Sequence, residues 1–357
     1  MQFQYFGLDQ KSEKTNLFPE FEAQIKLPLN CKKDPFNLPP VQTIRAMDLL
    51  KFRNVFVGWQ GIIFKGLRYS DESLFHDDVK NIYQKPAAKF KFFKRNYLQY
   101  KTIRVKKAVL AFDPWSQLNY FHWFCDTMMR VAATAPIAPA DAVFILPFDK
   151  YSLKSTIILD SLRAFGIDES RILKMEKNQK IKVDELLMPS HQAQYGQVYF
   201  RDNLLNLIVG KIKNFYRADL DFSLGEKIYI SRAKAATRKI SNENELINLL
   251  KKYGFNVVNM EDFSLKQQIA IAHNARYLAS CHGAGLTNIL FMQKNGFVIE
   301  MINENMDRPH FYSLASAVGA NYLIRKCRQS LAGKYQDNAD IFVDIAALEE
   351  DLKTIIS

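Results

Sequence analysis

Residues 277–302 read YLASCHGAGLTNILFMQKNGFVIEMI. The run 277–280 is short and apolar and suits a buried strand, and 297–302 is another. Gly283 and Gly285 follow the first run, and then a helical stretch. Strand, glycine loop, helix and strand make the repeating unit of a parallel sheet with crossover connections. Glycine carries no Cβ, so the backbone can turn tightly and approach a ligand there. Amides at the start of the following helix are placed to receive an anion. His282 and the Thr287 hydroxyl add donors, and Ala284 and Asn288 complete the loop. A tight turn packed for structural reasons has the same signature. The strand–loop–helix context points to an anion site.

The alternation continues on both sides. Residues 227–231 (KIYIS) form a strand, and 242–253 an amphipathic helix stopped by Gly254. A strand at 255–259 precedes Ser264-Leu265-Lys266-Gln267, a capping box that opens a helix through Ala272. A helix over 309–318, a strand at 321–324 and a last helix over 345–356 follow. Upstream, strands at 107–112, 142–146, 171–174 and 183–188 alternate with helices at 119–133 and 153–164, and 196–216 reads as a bridging helix. The first hundred residues are irregular and aromatic, with strand candidates at 54–57 and 61–64. The expectation is an α/β chain. An N-terminal domain spans 1–215, irregular and basic over 1–105 and Rossmann-like over 106–195. A second Rossmann-like domain covers 216–340, and 341–357 is a C-terminal helix. Ligands of such sheets sit at the carboxyl ends of strands.

At 357 residues with 48% hydrophobic composition, the chain has material for two cores, which excludes wholesale disorder. The net charge of +12 is local. Ten basic residues and no acid lie between Lys80 and Lys107, leaving about +2 for the remainder. The polar start, 1–16, has no apolar leader core. No run of about 20 apolar residues spans a membrane. The nearest, 131–148, contains Asp141, Pro136, Pro139 and Pro147. Cys31, Cys125, Cys281 and Cys327 form no CxxC pair, which fits a reducing compartment and argues against zinc or a disulfide framework.

Three groups of residues carry chemistry. The glycine loop is the first. Arg232 and Arg238 follow the 227–231 strand, and their planar forks suit phosphate oxygens as well as they suit a solvated surface. Glu300 ends the strand after the loop and reads equally as an acceptor from sugar hydroxyls or as a surface charge. The third group is NYFHWFCD at 119–126. His122 and Asp126 are four apart and share a helix face, where they can remove a proton from an acceptor hydroxyl or simply tether the helix. Asp219-Leu220-Asp221 lies in a polar linker rather than at a strand end, and His76-Asp77-Asp78 lacks further ligands, so no metal is expected.

These residues resemble the family-61 glycosyltransferases, a group that includes capsular polysaccharide biosynthesis proteins. The family pattern is S-R, then R-x-I-x-N-E, then H-G-A-G-L-T-N-x-x-F-M, then a strand ending in Glu. It is matched at Ser231, Arg232, Arg238, Ile240, Asn242, Glu243, His282 to Asn288, Phe291, Met292 and Glu300. The 119–126 run is similar to the family's N-terminal motif, and the resemblance covers roughly 105–305. It implies a GT-B architecture, two facing Rossmann-like domains with an interdomain cleft. It implies an inverting, metal-independent transfer from a nucleotide-diphosphate sugar to a glycan in bacterial surface polysaccharide synthesis, with no cofactor. Under this reading His122 is the base and Asp126 orients it or is itself the base. Arg232, Arg238, His282, Gly283, Ala284, Gly285, Thr287, Asn288 and Glu300 hold the donor.

The Lys80–Lys107 run interleaves Phe90, Phe92 and Phe93 with its charges. It suits an anionic membrane surface beside a lipid-linked glycan acceptor, an acidic glycan, or a solvated face over buried rings. A cytoplasmic protein, peripheral on the inner membrane face, is the expectation. The rival classes are a nucleic-acid-binding protein that uses this run and an inactive family member. The near-neutral remainder argues against nucleic acid as a partner.

Overall fold

A computed structural model describes residues 13–74, 85–112, 119–147, 155–192, 200–330 and 338–356. The sequence candidates His76-Asp77-Asp78, Lys80 and the 114–116 turn lie outside them. The chain separates into two compact units, one of residues 1–21 and 43–198 and the other of 22–42 and 199–357. Its strands are β1 (Glu13–Phe18), β2 (Phe21–Gln24), β3 (Val41–Ile44), β4 (Met47–Gly58), β5 (Ile63–Lys65), β6 (Arg68–Tyr69), β7 (Lys101–Val109), β8 (Val143–Pro147), β9 (Ile172–Met175), β10 (Gln179–Pro189), β11 (Lys227–Ile230), β12 (Asn256–Val258), β13 (Tyr277–Cys281), β14 (Phe297–Asn303), β15 (Asn321–Gln329) and β16 (Ile341–Phe342).

The second unit carries a sheet in the order β12-β11-β13-β14-β15-β16, parallel throughout except for β16. β13 is buried at all five positions and β14 at six of seven. Central parallel strands are covered on both faces, which is why these stretches read as continuous apolar runs. Alternation sorts their side chains. Tyr229, Ala279, Cys281, Ile299, Met301 and Leu323 share one core with Leu246, Leu250, Leu348 and Leu352 from the 243–252 and 345–355 helices. Ser280, Glu300 and Tyr322 are on the opposite face. The Ser264 capping box is present, with Gln267 Oε1 accepting from the Ser264 amide at 3.0 Å. From β11 the chain moves outward to β12 and then returns past β11 to β13. This reversal leaves the carboxyl ends of β11 and β13 side by side with their loops diverging, a topological switch point.

The first unit contains an eight-stranded mixed sheet in the order β6-β5-β4-β10-β7-β8-β9, with β1 also on β4. β10, β7, β8 and β9 run parallel, while β4 runs antiparallel to β10. The stretch expected to be irregular thus supplies regular strands. β4 pairs with β10 over nearly its whole length, from Gly58↔Lys180 to Leu49↔Pro189, a partner far away in sequence. β7 begins at Lys101, six residues before its expected start, because Arg104, Lys106 and Lys107 alternate with Ile103 and Val105 and hide the strand pattern. Within the described residues the basic run therefore divides into a helix over Pro86–Lys94, a π turn over Arg95–Gln99 and the first seven of the nine residues of β7.

Residues 22–42 belong to the second unit and lie along β15. The Leu29 amide donates to the Tyr322 carbonyl at 2.8 Å, and Asn30 Nδ2 donates to the Ile324 carbonyl at 2.8 Å. Phe36 stacks on Tyr312, with ring centroids 5.8 Å apart. No helix among the described residues is long and apolar enough to cross a membrane.

Candidate active site

The switch point of the second unit gathers the glycine loop and Arg232. Arg232 Nε donates to the Arg238 carbonyl at 3.2 Å, and Nη2 donates to the Thr237 carbonyl at 3.0 Å. Its third nitrogen, Nη1, passes over Gly283. A Cβ on that residue would lie 2.0 Å from it. Gly283 is extended (φ 174°, ψ 168°), so the requirement for glycine there is space and not backbone angle. A Cβ at Gly285 would press on Ile230 Cγ2 at 3.1 Å. Arg238 stands at φ 58°, the left-handed region that costs a non-glycine residue roughly 1 kcal/mol, and this turns its carbonyl toward Arg232.

The helix that follows the loop is a 3₁₀ helix over Ala284–Phe291. The His282 amide continues the ladder to Met301 at 2.9 Å, and the Leu286 amide bonds Gly283 at 2.9 Å. The amides of Ala284 and Gly285 have no acceptor within the helix and are the donors left for an anion. Asn288 is fully buried and closes the loop from beneath, its Nδ2 donating to the Gly285 carbonyl at 3.0 Å. Thr287 is also fully buried, and its hydroxyl has no hydrogen-bond partner. Both residues shape the loop rather than line its open side.

His282 is held by a chain of buried polar groups. Its Nδ1 meets Glu300 Oε1, and Glu300 Oε2 accepts from the Tyr322 hydroxyl. Burial and then the neighbouring Glu300 keep the Tyr322 phenol protonated, so it is a donor. Glu300 is 0% exposed. It is not a surface charge, and its two oxygens are engaged by His282 and Tyr322. The His282 ring also packs edge-on to Phe311, centroids 5.0 Å apart. Ser231 and Tyr229 each donate to Glu243 Oε1 at 2.7 Å, fixing the end of β11 just before Arg232. Asn242 exchanges hydrogen bonds with the Val343 backbone at 2.9 and 3.0 Å. These motif residues build the frame. Burial pushes the adjacent Cys281 thiol up to about 12, so it is inert as a nucleophile.

In the first unit, Asn119 caps the helix of 120–134 by accepting from the Phe121 amide at 2.9 Å. His122 Nδ1 lies 2.7 Å from Asp126 Oδ2, across the start of a π turn over Trp123–Thr127. Both side chains are largely buried, His122 the more accessible. Arg130, 1% exposed, fastens the helix to the carboxyl edge of the sheet. It donates to the carbonyls of Leu110 (3.2 Å), Phe112 (3.1 Å) and Pro189 (2.7 and 3.0 Å). The sequence reading missed Arg130 and Tyr322. An Arg in an otherwise apolar helix, MMRVAAT, is the one signal that marks the former. Among the described residues no group of three His, Cys, Asp or Glu is placed to hold a metal ion. Asp219 is paired with Lys266 at 2.8 Å.

A family model described as Glycosyltransferase 61 matches residues 120–299, from the His122 helix to β14. The chain is 35% identical over 106 residues to an EGF domain-specific O-linked N-acetylglucosamine transferase of Bos taurus, covering 28% of this chain and 20% of that one. It is 26% identical over 226 residues to the Drosophila melanogaster protein of the same description, covering 57% and 42%. It is 36% identical over 75 residues to a beta-1,2-xylosyltransferase of Arabidopsis thaliana, covering 20% and 14%. The chain thus spans less than half the length of each of these relatives.

Proposed function

The chain belongs to the glycosyltransferase 61 family, and from that premise we propose that it transfers a sugar from a nucleotide-diphosphate sugar to a hydroxyl of a glycan acceptor. The observation that carries this reading is the Arg232 guanidinium lying in the space that Gly283 leaves open. There it stands beside a His282 buttressed by Glu300 and Tyr322, at the switch point where α/β sheets bind phosphates.

In this reading the second unit holds the donor and the first supplies the base, the division of labour of a GT-B enzyme. Arg232 Nη1, the Arg238 side chain, His282 and the amides of Ala284 and Gly285 face the diphosphate. They stabilise charge as it develops on the leaving group, a preorganised role that supplies positive charge without a metal ion. His122, oriented by Asp126, takes the proton of the acceptor hydroxyl, whose oxygen attacks the anomeric carbon in line and inverts it. The relatives' names specify N-acetylglucosamine in one case and xylose in the other, so the shared chemistry is activated-sugar transfer and the sugar varies. Nucleotide release measured over a panel of uridine, guanosine and cytidine diphosphate sugars, with and without glycan acceptors, tests the proposal. Acceptor-dependent release from one donor class is expected. Release from none, with no binding of any donor, refutes it.

A further inference from the structure

The three most exposed large apolar side chains among the described residues are Leu98 (77%), Phe90 (70%) and Leu67 (68%), and no other reaches 50%. They lie on two elements of the first unit that are fastened together. Leu67 sits at the tip of the β5–β6 turn, next to Arg68, which pairs with Lys65. Phe90 is on the 86–94 helix, and Leu98 is on the π turn that extends it. The Tyr97 hydroxyl donates to the Gly66 carbonyl at 2.7 Å, tying the turn to the helix end. Phe64, Phe93 and Tyr97 pack around this tie with centroids 5.7 to 6.2 Å apart. Phe92 also packs on Phe64. Of the rings that the sequence left open between an interfacial and a buried role, Phe93 is buried and Phe92 half-buried against Phe64. The outer surface carries Phe90, Leu98 and Leu67 among the exposed Lys91, Lys94, Arg95 and Arg68.

These cations differ from the ion-paired ones of this unit. Elsewhere on it Lys14, Arg53 and Lys107 are paired with Asp48, Glu13 and Asp141. Lys91, Lys94, Arg95 and Arg68 have no acidic partner among the described residues. The acid nearest to Arg68 in sequence, Asp71, comes after β6. Unpaired cations around protruding apolar tips have the chemistry of an interfacial anchor, in which charge draws the surface to anionic headgroups and the tips enter the acyl boundary.

We propose that this patch, Phe90, Leu98 and Leu67 with Lys91, Lys94, Arg95 and Arg68, docks the protein on an anionic lipid bilayer. Charge complementarity alone would suit an acidic polysaccharide or a nucleic acid equally well. The apolar tips decide between them. Leu67 and Leu98 are aliphatic and offer bases no stacking face, and an acidic glycan gives them nothing to bury against. A bilayer uses both features. The inference does not depend on sugar transfer, since none of these residues belongs to the proposed catalytic machinery.

The test is flotation of the full chain with vesicles of neutral phosphatidylcholine and with vesicles in which about a third of the lipid is phosphatidylserine. Binding to the anionic vesicles alone is expected, weakened at about 0.5 M salt by screening. K91E/K94E/R95E is expected to lose binding by more than about a hundredfold, at roughly fivefold for each charge removed. F90S/L98S, which keeps every charge, is expected to lose about tenfold or more. Both variants alter exposed positions and are expected to keep the parent's unfolding midpoint. Equal binding to neutral and anionic vesicles, or binding to neither, overturns the proposal. So does an F90S/L98S variant that binds like the parent, or tighter binding to a single-stranded oligonucleotide or acidic polysaccharide than to vesicles.

Discussion

Gly283 is the residue at which the site is most exposed to a small change. A methyl group there would occupy the position of Arg232 Nη1. Gly283→Ala is therefore expected to displace the guanidinium and weaken nucleotide-sugar binding by about ten- to a hundredfold, the value of one to two charge-assisted hydrogen bonds. Calorimetric titration of both proteins measures this, and an unchanged affinity would separate Arg232 from the donor. Glu300 makes the complementary case. Removing it strands the Tyr322 hydroxyl and the His282 ring in the interior, at about 1–3 kcal/mol for each orphaned group. Glu300→Ala should shift the denaturation midpoint strongly, while Tyr322→Phe, which removes one partner and leaves no buried donor behind, should shift it less. Equal effects would mean that the chain of contacts through Glu300 is not what holds His282.

Among the helices, the pair at 202–215 and 265–274 carries a pH dependence. Burial lowers Lys213 to about 8, and burial together with Lys213 lowers His273 below its ordinary 6.5. A cation whose folded pKa is depressed binds fewer protons folded than unfolded. Stability then rises with pH across the window between the two values and falls as pH drops. For Lys213 that window runs from about 8 to 10.5, and for His273 it lies just below 6.5. Acidification from pH 7 to 5 should lower the melting temperature. Lys213→Met should raise stability at pH 7 by roughly 1 kcal/mol after allowance for solvent screening, with the gain shrinking above pH 9. Melting curves of the two proteins between pH 5 and 10 check this, and parallel curves would contradict it.

Elements were legible in the sequence where their causes are local. The capping box at Ser264, the stop at Gly254 and the glycine loop after β13 each depend on residues a few positions apart, and each is present. β4 was legible only in part, because what defines it is pairing with β10 about 130 residues later. β7 was concealed by its own charges. The site divides in the same way. His122 with Asp126 and the Arg232 loop are short-range constellations. Tyr322 and Arg130 act on partners brought together only by the sheet, so no spacing announces them.

At the scale of the whole molecule, the family assignment and the switch-point topology together make donor binding the property on which everything else depends. If Arg232, Arg238 and the loop amides supply the positive charge, turnover of a sugar nucleotide should survive excess chelator unchanged. A chelator-sensitive rate restored by a divalent cation would show that charge to be insufficient. His122→Ala should cut turnover by about a hundredfold or more while leaving donor affinity within a factor of two, as expected of a base that does not touch the diphosphate. A matching loss of affinity would move His122 into the donor site. The most direct test of the central claim is calorimetric titration of nucleotide-diphosphate sugars into the parent protein and Arg232→Met. Binding of at least one donor by the parent, weakened about thirtyfold or more in the variant, is the result this account predicts. Binding of none, or the same affinity in both proteins, would contradict it.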